Sequence, residues 1–155
     1  MVASPEQRAR VLYVVALTAV GTGLVAETLI VLGSTGESVS CAQFPSCLVT
    51  PATWIGAVHV IAAGLLLLLT LAMVVLAVGL RTEPGHLVPA TVAAFLVLVG
   101  MASVGAGLAS GAIPLRLAAI QFVFLGVLIA LIAGAAWGAR RIACAPYGST
   151  GPPSL

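Results

Sequence analysis

Four long apolar stretches, separated by short polar connections, set the pattern of this chain: residues 11–32, 53–80, 89–108 and 115–137. A helix that crosses the roughly 30 Å hydrocarbon core of a bilayer needs about 20 mostly apolar residues, and each stretch meets that requirement. The second exceeds it, a surplus that tilting or protrusion absorbs. Proline stands at or near the first turn of all four predicted helices, as Pro5, Pro51, Pro89 and Pro114. There its fixed φ suits the helix and its missing N–H costs nothing. Ser4 and Thr50 precede two of these prolines as N-cap residues, and Ser4 with Gln7 has the spacing of a capping box. The helix starts are thus marked independently of hydropathy. The fold class expected is an all-α integral membrane protein, an antiparallel bundle of four transmembrane helices.

Arginine sets the expected orientation. Arg8 and Arg10 precede the first apolar stretch, Arg81 follows the second, and Arg140 and Arg141 follow the fourth; Arg116 alone falls at the opposite face. With up-down connectivity these ends share one side, and the positive-inside rule makes both termini cytoplasmic. The connection at 33–50 then faces outward from a plasma membrane. The connections at 81–88 and 109–114 are short, as expected between neighbouring helices of a bundle. The first stretch is too long for the h-region of a cleavable signal peptide, about 7–15 residues, and is expected to remain as a span.

Composition removes the soluble alternatives. Of 155 residues 61% are hydrophobic and 6% charged, with mean hydropathy +1.24; a soluble domain carries about a quarter charged residues. The net charge of +2 comes from six arginines against four glutamates, with no lysine or aspartate. Because the arginines mark helix ends, this balance points to topology and not to nucleic acid. The length suits one membrane domain, residues 1–143, followed by a Gly/Pro/Ser-rich cytoplasmic tail, 144–155. Small residues crowd the third stretch and the connection after it (Gly100, Ala102, Ser103, Gly105, Ala106, Gly107), with Gly79, Gly126, Gly134 and Gly138 elsewhere. They read first as close helix packing, and otherwise as room for a flat cofactor.

Polar residues inside the spans are few. Counted from the outer helix ends, Glu27 is about six residues deep, His59 about eight and Gln121 about seven, with Met101 and Ser103 at a similar depth. At 1.5 Å per residue they share a layer roughly 9–12 Å below the outer face. An ionisable group in hydrocarbon is expected to face the bundle interior and to have a role. As a neutral imidazole, His59 is suited to ligating a haem iron or another metal; the alternative is a packing histidine bonded to a neighbouring helix. Glu27, the only acid inside a span, is expected to be protonated or paired. A hydrogen bond to His59 would orient the ring; bonding to a backbone carbonyl is the other option. Cys41 and Cys47 enclose five residues in the loop predicted to lie outside, where a disulfide is expected. Cys144, beside Arg140 and Arg141, reads as a free thiol, and His86 as an interfacial loop residue. No CxxC, phosphate-cradling loop or supported Ser-His-Asp arrangement is present.

The loop GSTGESVSCAQFPSC and the following TWIGAVHVIAAG resemble the haem A synthase family. Each of that family's two homologous four-helix halves has an outer loop of the type G-S-G…C-x-x-W-P-x-C, and then a helix bearing E-x-x-H. Here Phe44 replaces the tryptophan and the spacing from Cys41 to Cys47 is kept. The third stretch, LVLVGMASVGAGL, is similar to the family's small-residue segment, and LRLAAIQFVFLGVL corresponds to its fourth helix. The likeness covers residues 19–131, most of one half.

The resemblance implies His59 as a haem-iron ligand and a membrane enzyme that oxidises a methyl group of haem O to give haem A. The cofactor is then a haem of b, o or a type, and the partners are a haem O synthase or a terminal oxidase. A half-length chain of this kind implies a homo-oligomer. Two positions depart from the family: its glutamate falls at Gly56 and its second histidine at Gln121. Glu27 is the candidate replacement for the carboxylate, and Met101 for the second axial ligand. The alternatives are a non-catalytic haem-binding or oxidase-associated subunit, and a thiol-disulfide oxidoreductase that uses Cys41 and Cys47.

Overall fold

A computed structural model describes residues 4–35, 54–80, 85–110, 112 and 119–144. They form four helices: α1 (Pro5–Thr35), α2 (Trp54–Val78), α3 (Leu87–Ala109) and α4 (Ala119–Ala143). Each contains a segment long and apolar enough to cross a membrane, as in a multi-pass membrane protein. The Cys41–Cys47 loop, Thr50, Pro51, Arg81, Pro114, Arg116 and residues 145–155 lie outside the described residues.

The helix bounds differ from those expected in ways the end chemistry explains. α1 begins six residues before the apolar run, at Pro5, because the capping box holds its start. The Gln7 N–H donates to Ser4 Oγ (3.2 Å), and the Ser4 N–H donates to Gln7 Oε1 (3.0 Å). Glu6 in the first turn complements the helix dipole and pairs with Arg10 one turn on. α3 begins at Leu87, with His86 as N-cap, so Pro89 is its third residue and not its first. The proline is still harmless there, since the first four N–H groups of a helix have no intrahelical acceptor. α4 runs past Trp137 to Ala143. Arg140 and Arg141 thus close the helix itself, where cations favour the carbonyl end, and Arg141 stacks over the Trp137 ring, 5.4 Å from its centroid.

Each helix has two packing neighbours, α1 with α2 and α4, and α3 with α2 and α4. The contact between α2 and α3 is the thinnest of the four. The start of α1 meets the end of α2, where Arg8 donates to the Gly79 carbonyl (3.3 Å). The end of α4 meets the start of α3, where a Cβ on Gly138 would stand 2.8 Å from Leu87 Cδ2.

Packing is dense in one half of the bundle. Leu12, Met73, Leu87, Leu128 and Ile132 are fully buried, interleaved with Ala9, Ala16, Ala77, Ala94, Ala135 and Ala139. Alanines let the backbones approach, which is how membrane helices gain van der Waals contact when lipid offers no hydrophobic drive. The buried hydroxyls of Thr70 and Thr91 donate to carbonyls of their own helices, Leu66 or Leu67 and Leu87 or Val88 respectively, so they require no partner across the core.

The other half is looser, and across the bundle the glycines divide into two groups. Gly79, Gly105 and Gly138 do lie against side chains of neighbouring helices. Gly100, Gly126 and Gly134 do not: nothing stands within 4 Å of where their Cβ would be. The packing role expected for all of them holds for the first group only.

Candidate functional site

The looser half contains a cavity of about 350 Å³ to which all four helices contribute. Four of the residues that line it are Glu27 on α1, His59 on α2, Met101 on α3 and Gln121 on α4. These are the residues placed at a common depth by counting along the sequence, and tertiary packing brings them around one space. Ser103 lies at the same depth but is exposed and bonds to its own helix at the Val99 carbonyl.

Local geometry explains the shape. Glu27 lies one turn after Gly23 and next to Ala26 on α1, two small residues that line the cavity with it. His59 lies one turn before Ala63 and Gly64, which line the same space. On α4 the Gln121 amide reaches across to α3 and donates from Nε2 to the Met101 carbonyl, at a long 3.5 Å. It lies over Gly105, where a Cβ would stand 3.0 Å from Gln121 Nε2. Glycine at 105 is what allows the amide to lie flat against α3. Gln121 is therefore a strut between α3 and α4, and Met101 both supplies its acceptor and presents its side chain to the cavity.

The hydrogen bond expected between Glu27 and His59 is not made. Glu27 Oε1 and His59 Nδ1 are both buried and both without a hydrogen-bond partner. The imidazole lies near the main-chain carbonyl of Ala26 on α1. Unpaired buried polar atoms are uncommon, because each forfeits the hydrogen bonds it made in water, at about 1–3 kcal/mol. Two of them on adjacent helices, beside one cavity, are suited to a ligand that completes both.

The donor set restricts what that ligand is. Among the described residues no group of three His, Cys, Asp or Glu side chains converges to hold a metal ion. A bare ion needs several protein ligands; a metal that brings its own equatorial donors, as in haem, needs only one or two axial ones. His59 and Met101, both lining the cavity, have side chains of the types that can serve so, and either nitrogen of a neutral imidazole can coordinate. The cavity volume lies at the small end of the range for ligand pockets, about 300–1,000 Å³.

His86 and Cys144 are both exposed, outside the cavity. Counting along the sequence did not anticipate the Ala26 carbonyl or Gly105. A backbone group carries no residue-type signal, and Gly105 is one of many small residues in α3. Comparison with known proteins adds no assignment: no family model, curated protein or solved structure matches this chain.

Proposed function

We propose that this chain is a haem-binding membrane protein of the haem A synthase kind, in which His59 would hold the haem iron in the cavity between the four helices. The observation that carries the reading is the convergence of Glu27, His59, Met101 and Gln121 on one cavity, with a histidine nitrogen there left without a partner. Bound haem supplies a redox-active iron, and haem O also the methyl group whose oxidation gives haem A. The chain's own residues do the rest. The Ala26 carbonyl lies beside the imidazole. Met101 offers a thioether as second ligand. Glu27 is the carboxyl group available to accept or return a proton beside the cavity, in place of the one missing at Gly56. The apolar walls formed by Leu66, Leu98 and Leu125 keep bulk water away from these groups, which strengthens every polar interaction within.

One observation favours a second reading, a haem-binding or oxidase-associated subunit without catalysis. Gln121, at the place of the family's second histidine, is occupied as a strut to the Met101 carbonyl, and Gly56 offers no carboxylate. The proposed topology is antiparallel with both termini cytoplasmic. It is supported by Arg8 and Arg10 at the start of α1, which meets the end of α2, and by Arg140 and Arg141 at the end of α4, which meets the start of α3. A plasma-membrane location, an outer Cys41–Cys47 disulfide, a homo-oligomer and a haem O synthase or oxidase partner rest on the resemblance alone.

The test is a pyridine haemochrome spectrum of protein purified from haem-replete cells, beside His59→Ala. The wild type is expected to carry haem and the variant to lose it. A wild-type spectrum without haem, or haem retained in full by His59→Ala, overturns the proposal. Haem A accumulation on co-expression with a haem O source then separates the enzyme from the subunit, with Glu27→Gln expected to abolish it.

A further inference from the structure

The cavity walls are not equally covered. On α1 and α4 its lining residues, among them Gly23, Glu27 and Gln121, are buried or half-buried. The exposed lining residues all lie on α2 and α3: Val60 (44% exposed), Gly64, Leu67 (40% exposed), Ala102 and Ala106. These two helices also share the thinnest packing contact in the bundle. At Gly64 nothing lies within 4 Å of the place a Cβ would occupy. The exposed part of the lining is therefore lateral, on two spans, and is entirely apolar or small.

A rim of that kind, within the membrane-spanning segments, faces acyl chains and not water. We propose that the cavity is loaded from the bilayer through the gap between α2 and α3, and that its ligand is a membrane-dissolved amphiphile. The polar edge of the ligand reaches Glu27 and His59 at the back, and its apolar remainder lies in the gap beside Gly64, Ala102 and Ala106. Buried polar atoms without partners inside and an apolar exposed rim fit such a molecule. This inference deepens the ligand reading above and rests on the same cavity, but it does not depend on the ligand being haem.

The test is fluorescence quenching by phosphatidylcholine brominated on its acyl chains, with protein in vesicles and no haem added. Trp54→Phe and Trp137→Phe remove the native tryptophans, both of which are exposed. Leu98→Trp places a reporter on a buried position that lines the cavity, and Met101→Trp serves if Leu98→Trp does not fold. Val123→Trp, at a highly exposed position on α4, is the lipid-facing reference. The reporter is expected to lose fluorescence to an extent comparable with the reference, and Gly64→Phe, which fills the gap, is expected to restore it while leaving the reference quenched. A reporter that bromolipid does not quench, or one that Gly64→Phe leaves as quenched as before, overturns the proposal. Adding His59→Ala separates the two readings: it removes haem if haem is the ligand, yet leaves the quenching unchanged if the gap is open to lipid.

Discussion

A single methyl group added at two glycines should have opposite effects, because one glycine faces the cavity and the other the packed half. Replacing glycine by alanine inside a helix favours the helix by at most about 1 kcal/mol. At Gly105 the new Cβ would stand 3.0 Å from Gln121 Nε2, the free end of a flexible side chain with the cavity beside it. The amide can retreat, at the expense of its 3.5 Å bond to the Met101 carbonyl. Hydrogen bonds between membrane helices average about 0.6 kcal/mol, so Gly105→Ala is expected to be neutral or to stabilise by roughly 0.4 kcal/mol. At Gly138 the new Cβ would stand 2.8 Å from Leu87 Cδ2, and Leu87 is only 1% exposed. With no space to move into, overpacking costs about 1–3 kcal/mol. Less the same helix gain, Gly138→Ala should destabilise by up to about 2 kcal/mol. Reversible unfolding in mixed micelles on titration with dodecyl sulfate, followed by helical circular dichroism, measures both. Equal destabilisation by the two variants would mean that Gln121 has nowhere to go, and the cavity argument would fall with it.

Two further substitutions probe the frame that carries the site. Ser4→Ala removes the acceptor for the Gln7 N–H and should cost about 0.5–2 kcal/mol locally. It is read as faster amide hydrogen exchange confined to the first turn of α1; a uniform loss of protection along the chain would contradict a local cap. Thr70→Val keeps the shape of a side chain that is 1% exposed and bonds only to carbonyls of its own helix. Its effect in the same unfolding assay is expected to stay within about 0.6 kcal/mol, and a much larger loss would reveal a partner across the core.

What could be read along the chain was whatever depends on local chemistry. Apolar runs long enough for a bilayer, the Ser4–Gln7 box, Pro5 and the terminal arginines each carry their own physical reason, so four helices followed without any knowledge of their neighbours. Depth also followed, since 1.5 Å per residue converts position into distance from a helix end. That is why Glu27, His59, Met101 and Gln121 could be grouped before their sides were known. Which way each one faces was a different matter. In a soluble bundle a polar outer face reveals the inner one, but here lipid and core are equally apolar. Leu12 in the core and Leu17 outside it are the same residue type for different reasons. Only tertiary packing decided that the helix start at Arg8 meets Gly79, that Glu27 and His59 line one cavity without bonding to each other, and that the exposed lining of that cavity lies on α2 and α3. Those outcomes depend on steric fit between helices, and steric fit leaves no hydropathy signal when both sides of a helix are greasy.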